Sequence, residues 1–211
     1  MLRTALLTLV LLFAGFGAAN WLTHDFAVWT AEGARRLEVE RQPAATPAVE
    51  VDGPGIAPQP LPQLLAATSK VSVVDFIYTR CQTVCLTLGS TFQQMQARLQ
   101  ADGPTRPHGV QLMSISFDSA HDTPEALAAY AGRLHADPAL WRFVRVPDAA
   151  QLQTLLRRFQ VVVVPDVLGD YQHNGALLVV DANGRLVRIF DYSEQQLALD
   201  FARYLASGSP S

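Results

Sequence analysis

The amino-acid sequence predicts an α/β protein: a sandwich of helices around a central mixed β-sheet, preceded by one N-terminal transmembrane helix. Three observations predict this architecture. Residues 4–22 form an uncharged apolar run, strand-like and helix-like segments alternate from residue 71 onwards, and an Asn-Gly turn joins two apolar segments near the C-terminus. A hydrophobic fraction of 49% over 211 residues is enough for a sizeable core.

The apolar run "TALLTLVLLFAGFGAANWL" follows Arg3 and is about the minimum length that crosses a bilayer as a helix. Trp21 stands where an interfacial aromatic holds such a helix in place, whereas the small residues 17–19 are compatible with signal cleavage. We favour an uncleaved anchor, residues 1–22, over a cleaved signal. Either one exports the rest of the chain. We therefore expect a single-pass protein of the bacterial inner membrane with its soluble domain in the periplasm.

Residues 23–62 are predicted to be a juxtamembrane segment followed by a spacer. Within it, residues 43–62 contain six prolines and two glycines, a composition typical of a partly extended linker. The soluble domain is then predicted to occupy residues 63–211.

Within this domain, strands are predicted by β-branched and aromatic runs, and helices by amphipathic segments with capping residues. The predicted strands are 71–78, 109–117 and 141–146, with a hairpin over 176–190, and the predicted helices are 83–100, one capped by Asp122, 148–159 and 193–205. This order is that of a thioredoxin-like fold. In that fold a cysteine loop follows a central strand and begins a helix, whose N-terminus favours the thiolate.

The only two cysteines of the chain, Cys81 and Cys85, lie in "YTRCQTVC". In a helical segment they would be residues i and i+4 on one face. Two thiolates placed in this way can converge on one metal ion or close as a disulfide, and the spacing alone does not separate these outcomes. Outside the cytosol a pair of thiols tends to oxidise unless a reductant or a metal holds it.

A metal site would require a third ligand. Zinc usually takes four ligands, and the chain has no further cysteines to supply them. Two thiolates and one imidazole suit Cu(I). Among the histidines, His173 precedes a core strand in a loop that a thioredoxin-like fold would place beside the cysteines. His121, at a helix start, is interpreted as a surface or capping residue.

Three segments, "YTRCQTVC", "SISFDSAHDTPEALAAY" and "HNGALLVVDANGRL", resemble the Sco/SenC family in the same order and at similar separations. Members of that family are membrane-anchored, thioredoxin-like copper chaperones of cytochrome c oxidase assembly. The resemblance implies that Cys81, Cys85 and His173 bind copper, as Cu(I), Cu(II) or both. It also implies delivery to the copper-site subunit of the oxidase or another acceptor, and a thiol reductant protein as a second partner.

The sequence departs from the family pattern at four positions, which indicates a divergent member. Gln82 and Leu86 stand where the family usually has proline, and Ser119 and His121 replace the usual proline and arginine of the second segment.

A different function is indicated by Asp75, six residues before Cys81, since a V-D-F stretch at this distance resembles thioredoxin. A buried carboxylate has a raised pKa and can act as a general base. The alternative is therefore an exported thiol-disulfide oxidoreductase acting on an oxidase subunit or another periplasmic protein, with Cys81 attacking, Cys85 resolving and Asp75 assisting. The question of enzymatic activity stays open. A net charge of −3 without a basic stripe argues against nucleic acid as a partner.

Overall fold

The computed structural model describes residues 2–23, 26, 28–80, 84–102, 109–166 and 171–208, with the backbone alone described for residues 84–88. The helices are α1 Leu2–Leu22, α2 Ala31–Arg41, α3 Leu61–Ala66, α4 Val84–Ala101, α5 Pro124–Arg133, α6 Ala149–Arg158 and α7 Gln195–Ala206, with a 3₁₀ turn over Tyr192–Glu194. The strands are β1 Ala44–Ala45, β2 Glu50–Gly53, β3 Ile56–Pro60, β4 Val71–Ile77, β5 Val110–Ser116, β6 Trp141–Arg145, β7 Val163–Pro165, β8 Tyr171–His173, β9 Ala176–Val180 and β10 Arg185–Asp191.

Eight strands form one mixed sheet in the order β1-β10-β9-β4-β5-β6-β2-β3, and β7 pairs with β8 in a separate two-stranded sheet. Strands β4, β5 and β6 are parallel, whereas the remaining pairs of the large sheet are antiparallel. Every residue of β4 and β5 is buried, as expected for central strands covered on both faces. The predicted helix-and-sheet sandwich with a mixed sheet is confirmed.

The alternation of side chains along β4 divides the core into two layers. Val74 and Phe76 face one cluster, which contains apolar residues of α2, α3 and α6. Val73 and Ile77 face the other cluster, which contains apolar residues of α4, α5 and α7. The strand that leads to the first cysteine is therefore held between two packed layers.

Residues 43–62 differ from the extended spacer predicted for them. β1 pairs with β10, and β2 pairs with both β3 and β6, so this proline-containing segment forms edges of the main sheet. Prolines are tolerated at sheet edges, where a missing N–H leaves no ladder bond unmade. Val49 and Val51, inside this segment, belong to the core. The sheet therefore includes residues before position 63, where the soluble domain was predicted to begin.

Helix α2, in the segment predicted to be juxtamembrane, is also packed on the domain. Val39 is buried in the core cluster beneath it, and Arg35 is buried beside its ion-pair partner Glu32. Arg36 forms ion pairs with Asp191 and Glu194, the two residues that make the capping box of the 3₁₀ turn. Helix α2 is thus joined to the strand β10 and to the turn that begins α7.

Helix α1 is 21 residues long, carries no buried residue and is apolar enough to cross a membrane. It is the candidate membrane span predicted from the sequence. Because none of its side chains is buried, the sandwich does not depend on α1 for its core.

Candidate metal centre

The two cysteines lie where β4 gives way to α4. Cys81 lies outside the described residues, and Cys85 lies in the first turn of α4, where the backbone alone is described. The order of strand, cysteine segment and helix agrees with the sequence prediction. The geometry of the site comes from the residues around the two cysteines.

The approach to Cys81 is held in place by Asp122. The carboxylate of this fully buried residue accepts hydrogen bonds from the backbone N–H of Thr79 (3.0 Å), the Thr79 hydroxyl (2.6 Å) and the Ser116 hydroxyl (2.5 Å). Asp122 was predicted to cap α5, and that prediction is wrong because its carboxylate is taken up by these bonds. The cap is Thr123, whose hydroxyl accepts from the N–H of Ala126.

A second buried carboxylate, Asp118, holds the side chain next to Cys81. It accepts a hydrogen bond from Arg80 at 2.8 Å, and its other oxygen lies 2.8 Å from Nδ1 of His121. The Ser116 hydroxyl accepts from the Asp118 N–H at 3.1 Å. The hydrogen bond that Arg80 donates to Asp118 raises the pKa of the Arg80 guanidinium above its usual value. Arg80 therefore stays a cation beside the cysteine segment.

Four rings connect the end of β4 to the β7–β8 hairpin. The centroid of Phe117 lies 5.2 Å from Tyr78, 5.4 Å from Tyr171 and 5.2 Å from His173, and Tyr78 and Tyr171 are also 5.2 Å apart. Such edge-to-face and tilted contacts stabilise aromatic clusters. His173 is therefore joined through one ring, that of Phe117, to Tyr78, which is only three residues before Cys81.

His173 was predicted in a loop, and the structure places it at the end of β8, opposite Val163 of β7. The next residue secures this position: the Asn174 amide donates to the Gln160 carbonyl, and its Oδ1 accepts from the N–H of Val162. Burial lowers the pKa of the His173 imidazole below its ordinary value. A neutral imidazole is the form that binds metal ions.

Asp75 is fully buried in the centre of β4. It is on the same face as Val73 and Ile77, which pack against the layer that contains α4. Desolvation raises the pKa of the Asp75 carboxyl to about 7, and the neighbouring Ser114 on β5 opposes part of the rise. The carboxyl therefore exchanges its proton near neutral pH, on the side of the sheet that faces the helix carrying Cys85.

Within the described part of the chain, no group of three or more His, Cys, Asp or Glu side chains is arranged to hold a metal ion. A metal centre here depends on Cys81 and Cys85. His173, the third predicted ligand, lies at the end of β8 in ring contact with Phe117, while Asp75 lies on the opposite side of β4 from the aromatic cluster.

The sequence did not lead us to predict most of the hydrogen bonds around Asp118 and Asp122. Asp118 was only a weak candidate, and Asp122 and His121 were interpreted as capping or surface residues. The spacing of Asp118 and Asp122 directly after a buried strand was the available signal, because two carboxylates at the end of a central strand face the loops that follow the neighbouring strands.

A mixed sheet whose central strand runs into a cysteine-bearing segment and a helix defines a thioredoxin-like protein. The family model of SCO1/SenC matches residues 66–205, and the chain belongs to this family. A curated relative, the SCO1 protein homolog of Bacillus subtilis, is 24% identical over 126 residues. This match covers 59% of the chain and 62% of the relative, so the chain spans about three fifths of the relative's length.

Solved structures share the fold. BsSco, a member of the Sco family of cytochrome c oxidase assembly proteins in which a disulfide switch was identified, superimposes with a TM-score of 0.65 at 18% identity, covering 79% of this chain and 95% of that one. ScoI of Bradyrhizobium japonicum with copper bound gives a TM-score of 0.59 at 21% identity, covering 77% and 99%. The predicted thioredoxin-like fold is confirmed.

Proposed function

We propose that this protein is a membrane-anchored copper chaperone, which holds one copper ion with Cys81, Cys85 and His173 and passes it to a copper-site subunit of cytochrome c oxidase. Its membership of the SCO1/SenC family supports this function. So do two solved relatives, one from a family of cytochrome c oxidase assembly proteins and one with copper bound.

The observation that carries the proposal is the ring contact between His173 and Phe117, which in turn contacts Tyr78. It connects His173, the half-buried histidine at the end of β8, to the strand end that leads to Cys81. Two thiolates and a neutral imidazole are a soft donor set that suits Cu(I).

The surrounding residues favour the metal-binding protonation states of these three ligands and fix the backbone before Cys81. The N-terminus of α4 and the nearby Arg80 cation both favour the thiolate forms of the cysteines. Burial keeps His173 neutral, and the hydrogen bonds that Thr79 donates to Asp122 hold the backbone two residues before Cys81. Copper then enters and leaves by exchange of ligands, with a thiol reductant protein keeping both cysteines reduced between cycles.

Helix α1 is proposed to remain as the anchor, with the domain in the periplasm beside the bacterial inner membrane. Its length and apolar character support this location.

The test is an anaerobic Cu(I) titration of the reduced full-length chain in detergent against a competing chelator. We expect tight one-to-one binding that is weakened about 100-fold or more by His173→Ala and by Cys85→Ser, because each substitution removes a ligand. His135→Ala is the matched control, since His135 is an exposed histidine beyond the far end of α5. Weak binding by the unchanged protein, or binding untouched by His173→Ala, would contradict the proposal.

A second candidate function is favoured by Asp75, whose carboxyl lies on the α4 side of β4 and titrates near pH 7. In this function the Cys81 thiolate attacks a substrate disulfide and releases one substrate thiol. Asp75 takes the proton of Cys85, whose thiolate then attacks the mixed disulfide. The substrate leaves reduced, with both electrons supplied by the Cys81–Cys85 pair.

For this function we expect Asp75→Asn to slow the reduction of a synthetic disulfide peptide about 100-fold at pH 7, since an amide cannot accept the proton. His173→Ala should leave the rate unchanged. A rate that falls with His173→Ala but not with Asp75→Asn would exclude the thiol-transfer function.

A further inference from the structure

The connection between α1 and α2 presents two aromatic side chains, Phe26 and Trp29, on its surface. Their ring centroids lie 5.9 Å apart, and the Phe26 ring lies 5.3 Å from the ring of Phe16 in α1. Trp29 is 73% exposed, and Phe16 is exposed as well. Exposed rings in contact with one another are typical of a surface that meets another apolar surface. The three rings form one apolar patch that continues the candidate membrane span.

This connection is folded as a closed turn. The Thr23 hydroxyl donates to the Ala19 carbonyl at 2.7 Å and accepts from the N–H of Phe26 at 3.1 Å. The Thr23 carbonyl accepts from the N–H of Val28 at 3.0 Å. The chain cannot extend here without breaking these hydrogen bonds, so the turn holds Phe26 close to the end of α1.

The contact with Phe16 fixes the level of Phe26 along α1. Phe16 precedes the last residue of α1 by six positions, which is about 9 Å along the helix axis. The Phe26 ring therefore lies beside the last two turns of α1 and not beyond its end. Apolar side chains of interfacial segments reach roughly 5–10 Å into the boundary between headgroups and acyl chains. An α1 that spans a bilayer would carry Phe26 to this depth.

The backbone of Phe26 indicates that its ring has a role of its own. Its φ is 60°, a left-handed conformation that bulky residues rarely adopt and that glycine adopts readily. A glycine would make the same turn with less strain but would remove the contact with Phe16. The phenylalanine is therefore better explained by the apolar surroundings of its ring than by the turn.

Charged residues near the two rings define how deep they can lie. His24 and Asp25 directly precede Phe26 in the sequence. On the other side, Glu32 in the first turn of α2 is paired with Arg35 and Arg36. Charged groups are costly in the hydrocarbon core, whereas the headgroup region accepts them. The segment therefore fits the interface between water and lipid.

We propose that Phe26 and Trp29 insert into the membrane interface beside α1 and hold the domain against the lipid surface. This inference rests on the proposed retention of α1 as an anchor and does not depend on copper. Tryptophan suits the interface because its ring is apolar while its indole N–H can donate a hydrogen bond. The connection between α1 and α2 is then a fixed joint, and α2 begins at the lipid surface.

The test uses tryptophan fluorescence of the full-length chain in phosphatidylcholine vesicles, with and without lipids brominated on their acyl chains near the headgroup. Bromine quenches only the tryptophans that it contacts. The Trp21→Phe protein reports on Trp29, because its other tryptophan, Trp141, is buried in the core. We expect the brominated lipids to remove most of the emission of Trp29. The Trp29→Phe protein reports on Trp21 and shows whether the end of α1 lies in the bilayer.

Variants of Phe26 in the Trp21→Phe protein test the role of the ring. Phe26→Ser removes the contact with Phe16 and should abolish most of the lipid quenching of Trp29. Phe26→Leu keeps an apolar side chain and should retain that quenching. Leu197→Ser is the matched control, since it changes a 58% exposed apolar side chain on α7 and should leave the quenching as it was.

The outcomes separate this inference from the anchor. If lipid quenches Trp21 while Trp29 responds only to iodide in the water, the interfacial insertion is wrong and the anchor stands. Protection of Trp29 from both quenchers would also overturn the insertion, because a protein surface such as a second copy of the chain would then cover the rings. If brominated lipid leaves Trp21 unquenched as well, the anchor and the insertion are both wrong.

Discussion

Asp75 lowers the stability of the folded protein, and its carboxyl group can serve the proposed thiol chemistry. It is a carboxyl group at the centre of a strand whose other residues are apolar or small, and it is fully buried. Ionising such a group costs free energy because water no longer solvates the charge. An amide or an apolar side chain at this position would avoid that cost, so the carboxyl is better explained by proton transfer than by packing.

The raised pKa of Asp75 predicts how stability depends on pH. The folded protein retains this proton up to about pH 7, whereas the unfolded chain releases it near pH 4. The free energy of unfolding therefore falls as pH rises through this window and is lowest above it. We expect Asp75→Asn to gain about 4 kcal/mol relative to the unchanged protein between pH 4 and pH 8.

Urea unfolding of residues 28–211 at several pH values measures this difference. These residues retain α2 to α7 and every strand, and they omit α1, which has no buried residue, together with the five residues that follow it. Asp200→Asn is the matched control, because it removes a carboxylate from a side chain that is 55% exposed. Parallel stability curves for Asp75→Asn and the unchanged protein would show that Asp75 titrates normally.

The elements that could be predicted from the sequence are those with a local signal. β4, β5 and the β9–β10 hairpin are apolar runs bounded by turns, and Gly184 adopts the positive φ that the Asn-Gly pair predicts. The α6 cap at Asp148 was also local, with a bond to the N–H of Gln151 three residues on. Such signals need only neighbouring residues.

The elements that could not be predicted depend on distant partners. β1 and β2 are short segments among prolines, and they are strands only because β10 and β6 offer free edges. The β7–β8 hairpin likewise packs through Tyr171 against Tyr78, a residue 93 positions earlier in the chain. The same dependence on distant partners limits what could be predicted of the site. The two thiols and His173 matched family motifs, whereas the roles of Asp118 and Asp122 depend on hydrogen bonds to the loop after β4.

At the scale of the whole molecule, the packing of α2 changes how far the domain can lie from the bilayer. A free linker from residue 23 to 62 would reach about 140 Å when fully extended. Because α2 begins at Ala31, only residues 23–30 connect α1 to the domain, and they reach about 28 Å at most. If α1 stays in the membrane and the domain delivers copper, as we propose, the acceptor must present its site close to the membrane surface.

Two truncated proteins test whether α2 belongs to the domain. Residues 28–211 retain α2, whereas residues 43–211 lose it and expose the core surface that Val39 covers. We expect the shorter protein to be less stable by at least about 2 kcal/mol in urea unfolding, since burying one valine alone contributes about this much. We expect Val39→Ala in the longer protein to lower the free energy of unfolding by about half of this amount. Val162→Ala, at a side chain that is 59% exposed, should leave it almost unchanged. Equal stability of the two truncated proteins would mean that α2 does not hold the domain, and the linker would then have its full reach.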